Sequence, residues 1–121
     1  MRRTILLLTV TVVVLMLAAG VALAVSKTGT NQGDTLSGVD TADDRLAGGG
    51  GPDVIKGRGG NDRLFGDHGA DELFGGPDDD FLNAADQAAD TTIDGGSGTD
   101  TCVVDDTLDP APVGCETTVP V

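Results

Sequence analysis

Residues 48–83 read GGGGPDVIK (48–56), GRGGNDRLF (57–65), GDHGADELF (66–74) and GGPDDDFLN (75–83). Asp stands at 53, 62, 71 and 80, and a large aliphatic follows two residues later at Ile55, Leu64, Leu73 and Leu82. Glycines open every unit. Further along, GGSGTDTCV (95–103) fits the same template, with Asp100 in the acidic slot and Cys102 in the apolar one. Upstream, Asp34-Thr35-Leu36 and Asp44-Arg45-Leu46 carry the same Asp-x-aliphatic core, one extra residue separating them. Residues 84–94 are irregular, with Ile93 in the apolar slot. Self-similarity at a fixed period decides the architecture before any single residue does.

Each unit offers a Gly-rich turn of six residues and a strand of three. Glycine permits positive φ and close backbone approach in the turn. The strand sends its aliphatic inward and its two neighbours outward. Two units make one coil, so residues 18 apart stack. The period therefore predicts an all-β fold, a right-handed parallel β-roll (a β-solenoid) of about four coils. Its two inward rows are Leu36, Ile55, Leu73, Ile93 and Leu46, Leu64, Leu82, Cys102. Phe65, Phe74 and Phe81 flank these rows and are expected to cover their edges.

Stacked strands lie about 4.8 Å apart, and calcium takes oxygens at about 2.4 Å. An ion midway between stacked turns thus reaches oxygens above and below. Aspartate is short enough to act from the turn itself, and turn carbonyls supply further oxygens. The predicted metal ligands are Asp34, Asp44, Asp53, Asp62, Asp71, Asp80 and Asp100, with Gly48, Gly50, Gly57, Gly59 and Gly66 at the turn carbonyls. The expected stacked pairs are Asp44 with Asp62, Asp53 with Asp71, and Asp62 with Asp80, continued across insertions by Asp34 with Asp53 and Asp80 with Asp100. Asp109 falls outside the repeat. Without a cation the column is a ladder of like charges, repelling by about 1 kcal/mol per pair in water and about 3.5 kcal/mol at an effective dielectric of 20.

This is the nonapeptide G-G-x-G-x-D-x-U-x, and over 34–103 the chain resembles the RTX (haemolysin-type) calcium-binding repeat proteins. The resemblance implies a parallel β-roll that binds several Ca2+ ions. Glycine is missing from second and fourth positions at Arg58, Asp67 and Asp78. Proteins of this family often leave the cell by a one-step route without an N-terminal signal; this chain departs from that.

Its first 24 residues, MRRTILLLTVTVVVLMLAAGVALA, contain no acid and two arginines. A basic start, an apolar run from Ile5 to about Ala19 and the small-residue site Ala22-Leu23-Ala24 predict a signal peptide cut after Ala24. An uncleaved membrane anchor is the alternative. Both place the acidic body outside the membrane, because the arginines stay cytoplasmic. The expected location is extracellular. In an exported chain, Cys102 and Cys115 read as a disulfide.

Of 121 residues, 20 are Asp or Glu and 7 are Lys or Arg, a net charge of -13, with 3 Phe and no Tyr or Trp. So acidic a chain is not expected to hold nucleic acid or an anionic membrane beyond its signal segment. So few large side chains do not fill an ordinary core unaided. One His and no Ser-His pairing leave nothing to assemble into an enzyme, and zinc would need more His or Cys. His68 is expected in solvent. Asp90-x-Thr92-x-Asp94-Gly95 imitates half an EF-hand loop, but Thr101 stands where Glu is required.

The predicted organisation is a signal peptide (1–24), a linker (25–33), the calcium-binding roll (34–103) and a disulfide-linked C-terminal cap (104–121). The predicted function is secreted calcium binding, with a calcium-stiffened structural or adhesive surface component as the alternative.

Overall fold

The computed structural model describes residues 23–121; the signal-peptide expectation falls on residues 1–24 and lies almost wholly outside them. The repeat dictates the strands: β1 (Ser26–Thr28), β2 (Thr35–Ser37), β3 (Arg45–Gly50), β4 (Val54–Lys56), β5 (Arg63–His68), β6 (Glu72–Pro77), β7 (Phe81–Asn83), β8 (Thr92–Ser97), β9 (Thr101–Val104) and β10 (Thr117–Pro120). Strands alternate between two parallel sheets, ordered β1-β3-β5-β7-β9-β10 and β2-β4-β6-β8. The steps from one sheet to the other, each taken with the end of the strand before it, are Gly/Asp turns, except that between β7 and β8, which has aspartates but no glycine. The result is a parallel β-solenoid.

Register follows the apolar slot. Leu46, Leu64, Leu82 and Cys102 pair in succession across the first sheet. Leu36, Ile55, Leu73 and Ile93 pair across the second. All of these except Leu36 are buried, and they form one core cluster with Ala84 and Val104. A one-residue slip would turn this row outward, which is why the period holds so strictly through Ile55, Leu64, Leu73 and Leu82. Outward positions carry the aromatics. Arg45 lies 4.5 Å over the Phe65 ring, Phe65 and Phe81 are 6.1 Å apart, and Lys56 is 5.8 Å from Phe74. The three rings thus lie against the outer faces of the sheets.

The roll has about five coils rather than four, because it is longer at both ends. β1 lies within the stretch read as a linker and pairs with β3, placing Lys27 in the apolar slot beside Leu46. Its ammonium reaches across the open end of the core to the Ser37 carbonyl. A lysine in this slot breaks the Asp-x-aliphatic signature, so the sequence pattern starts one strand too late. At the other end, β10 pairs with β9. Val113 bridges Asp94 beside β8 and takes a fifth place in the second sheet. The C-terminal stretch thus forms a last coil.

Cys102 and Cys115 are joined, with their Cα atoms 5.9 Å apart. The bond ties the buried end of one apolar row to the turn before β10. Closing a loop across a separation of 13 residues is worth about 3 kcal/mol through the unfolded chain. Cys115→Ser keeps Cys102 in the core and opens that loop. We expect chemical unfolding in calcium to show a loss of about that size; an unchanged midpoint would mean the bond adds nothing.

Candidate metal centre

The turns build two columns of acids, one along each edge of the roll. In each, the backbone N–H of one aspartate donates to Oδ1 of the aspartate one coil further on. Along one edge the chain of bonds runs Asp34 to Asp53, Asp53 to Asp71 and Asp71 to Asp90, at 2.7–2.8 Å. Along the other it runs Asp44 to Asp62, Asp62 to Asp80 and Asp80 to Asp100, all at 2.7 Å. The stacked pairs expected from the 18-residue spacing are all present. One oxygen of each carboxylate is thereby spent on the fold.

The second oxygen is not. Oδ2 of Asp53, Asp62, Asp71, Asp80, Asp90 and Asp100 is buried and accepts no hydrogen bond. A buried acceptor left unpaired costs about 1–3 kcal/mol, more when charged. Six in one small protein call for an explanation. Asp34 and Asp44, in the first coil, differ. Oδ2 of Asp34 accepts from the Thr30 N–H and hydroxyl, and that of Asp44 accepts from the Val39 N–H.

The glycine that opens each turn shows what Oδ2 faces. A Cβ on Gly48 would lie within 3 Å of both Asp53 Oδ2 and the Gly66 carbonyl oxygen one coil on. On Gly57 it would meet Asp62 Oδ2 and the Gly75 carbonyl; on Gly75, Asp80 Oδ2 and the Gly95 carbonyl; on Gly95, Asp100 Oδ2 and the Gly114 carbonyl. Each such glycine leaves a small space walled by a carboxylate oxygen and a carbonyl oxygen of the next coil. Among the described residues no three His, Cys, Asp or Glu side chains converge as a metal site. A cation here must take most of its oxygens from the backbone. Calcium, which accepts carbonyls and carboxylates alike in flexible geometry, suits this donor set.

Burial moves the acids in a consistent direction. Desolvation pushes the Asp62 and Asp71 carboxyls up to about 6, and those of Asp80 and Asp90 up to about 7. The ladder N–H opposes this in each case, and neighbouring carboxylates add to it. Asp53 and Asp100 are raised too, again chiefly by burial.

The family model of the RTX calcium-binding nonapeptide repeat matches residues 38–73 and 68–88, in four copies. Residues 38–88 are RTX calcium-binding repeats. No curated protein and no solved structure matches the chain.

Several residues fall differently from the sequence reading. The aspartate column continues through Asp90 to Asp109, whose Oδ1 accepts the Asp90 N–H and whose Oδ2 accepts the Asp105 N–H. Asp109 therefore does not stand outside the ladder; it closes one edge of it. Glu116 closes the other by accepting the Asp100 N–H. Asp90 could have been found, since it lies one residue beyond the 18-residue step from Asp71. Asp109 and Glu116 carry no repeat signal. Of the glycines, Gly48, Gly57 and Gly66 present their carbonyls to the coil before them, at Gly29, Gly38 and Gly48. Gly59 packs on the Asp40 carbonyl and Gly50 faces Asn31, away from any ladder carboxylate.

The residues that replace glycine keep its backbone. Arg58, Asp67 and Asp78 have φ of 84°, 61° and 78°, in the left-handed region that glycine occupies at the matching turn positions. The roll holds them there at a cost of about 1–2 kcal/mol each. The half EF-hand motif became β8, and no helix occurs among the described residues. His68 stands in solvent, 4.0 Å from Asp86.

Proposed function

We propose that this chain is a secreted calcium-binding protein in which Ca2+ lies between stacked turns, bound by aspartate Oδ2 and glycine carbonyl oxygens. The unpaired, buried Oδ2 atoms of Asp53, Asp62, Asp80 and Asp100, each beside a glycine that also meets a carbonyl of the next coil, carry this reading. Calcium supplies the positive charge that the row lacks. Aspartate Oδ1 fixes each carboxylate through its ladder bond, so that Oδ2 is already aimed at the space beside the glycine. The fixed turn lowers the ordering cost of binding. The disulfide and the basic-apolar start of the sequence support an extracellular location.

Calorimetric titration of the full chain with calcium chloride is the direct test. We expect saturable binding of several ions with dissociation constants of about 10⁻⁴–10⁻³ M, the range of extracellular calcium modules. Asp62→Asn keeps Oδ1 as a ladder acceptor but removes the charge from Oδ2, and should remove one ion. Flat heats through about 10 mM calcium would refute the proposal.

A further inference from the structure

The two edges of the roll are not equivalent. Along the edge that runs from the second sheet back to the first, Gly38, Gly57, Gly75, Gly95 and Gly114 occupy one position in five successive turns. Register fixes this, since Ser37, Lys56, Phe74 and Asp94 pair in succession and Asp94 bridges Val113. Along the opposite edge the same position reads Gly29, Gly48, Gly66, Ala84 and Val104, because Thr28, Ala47, Phe65, Asn83 and Val103 pair in succession. Glycine gives way to alanine and then valine, and both are buried in the core cluster.

The oxygens change at the same place. At Gly48, Gly57, Gly75 and Gly95 the space beside the glycine is walled by an aspartate Oδ2 and by the carbonyl of the next coil. At Gly66 the three nearest atoms all belong to Asp71, so no oxygen of the Ala84 coil comes within 3.4 Å, where the other four glycines have a next-coil carbonyl at 2.4–2.6 Å. The turn of Asp90 opens with Ala84, whose methyl group stands where the other turns leave room. Yet Asp71 and Asp90 carry the same ladder bonds as the rest. Asp71 is thus tied into the fold without a close carbonyl of the next coil, and Asp90 sits in a turn that opens with a methyl group in place of glycine.

We propose that calcium occupies the two edges unequally: three ions beside Asp62, Asp80 and Asp100 on the all-glycine edge, and one beside Asp53 on the other. Ala84 and Val104 end the second column and replace ions with apolar packing. Asp71 and Asp90 position the coil but hold no calcium. In the first coil, Asp34 and Asp44 have both oxygens committed to N–H or hydroxyl donors or lie at the open end. The irregular stretch 84–94 is thus where the stack changes from metal-filled to apolar turns. This inference rests on the calcium reading above.

Native mass spectrometry of the full chain in calcium tests it by counting ions. We expect four on the unaltered protein. Asp80→Asn should leave three, whereas Asp71→Asn, matched to it in burial and ladder bonding, should leave four. An ion lost from both variants would overturn the asymmetry while leaving calcium binding itself intact. No ion on the unaltered chain would overturn both. Anomalous diffraction from crystals loaded with terbium, a calcium substitute, reads the same answer without a variant. Peaks beside Asp53, Asp62, Asp80 and Asp100 are expected, and a peak beside Asp71 or Asp90 would refute the proposal.

Discussion

In chelator the full chain should lose most of the β signal in its far-ultraviolet circular dichroism, and calcium should restore it. The opposing forces are large and local. The ladder stacks carboxylates coil upon coil, and a pair separated by about 4.8 Å repels by about 3.5 kcal/mol at an effective dielectric of 20. Six of their oxygens are buried without a partner. Against this stands a core of one aliphatic per repeat, lined by Leu46, Ile55, Leu64, Leu73 and Leu82. Calcium meets its oxygens only when the turns are stacked, so its binding free energy becomes folding free energy. Four ions at one hundred times their dissociation constants would each add about 2.7 kcal/mol. Magnesium should restore little, because it demands strict octahedral geometry and holds its water. Sodium chloride should not substitute, since screening weakens repulsion without filling the space beside Oδ2. An identical β spectrum in chelator, in salt and in calcium would show that the roll folds without the ion.

What the sequence disclosed, and what it hid, divides along physical lines. The apolar rows were legible because a strand has period two and a coil has period 18, so Leu46, Leu64 and Leu82 could stack only in one way. The aspartate pairs followed from the same period. The division of labour within each carboxylate was not legible. That Oδ1 takes a backbone N–H while Oδ2 is left without a partner depends on turn geometry that spacing does not encode. The ends were hidden for a different reason. Lys27 fills an apolar slot by reaching over the open core to Ser37. Asp109 and Glu116 enter the ladder from a segment with no repeat at all. Caps answer to the exposed edge they cover, and each edge has its own solution. Substitutions inside turns were misleading in the opposite sense. Arg58, Asp67 and Asp78 look like lost glycines, but they keep the positive φ of the turn. Ala84 looks as mild a change as any, yet it puts a buried methyl group at the turn position where Gly66 stands one coil before.

The second large effect is one of pH, and its sign is opposite to that of most acidic proteins. Asp62 and Asp71 titrate at about 6, and Asp80 and Asp90 at about 7, against 3.8 for the free side chain. Burial raises them, so the folded roll holds protons that the unfolded chain releases. Stability from these groups is fully present below the unfolded value and is lost as pH rises through about 6 to 7. In chelator, then, acidification from pH 8 to 5 should increase the β signal. A proton on Asp80 Oδ2 removes, without a metal, the buried charge that calcium would otherwise neutralise. The same protons compete with the ion. Protons also favour the folded roll, so the calcium concentration at the folding midpoint should fall as pH falls from 8 to 5, and calcium added near pH 5 to the roll already folded by protons should release protons that a weakly buffered titration detects. Asp80→Asn removes one of the most strongly raised groups and should weaken the pH dependence in chelator. A metal-free β signal that grows with rising pH, or a calcium midpoint indifferent to pH, would mean that the buried carboxylates are ionised in the folded roll without help. The unpaired Oδ2 atoms would then need a different partner.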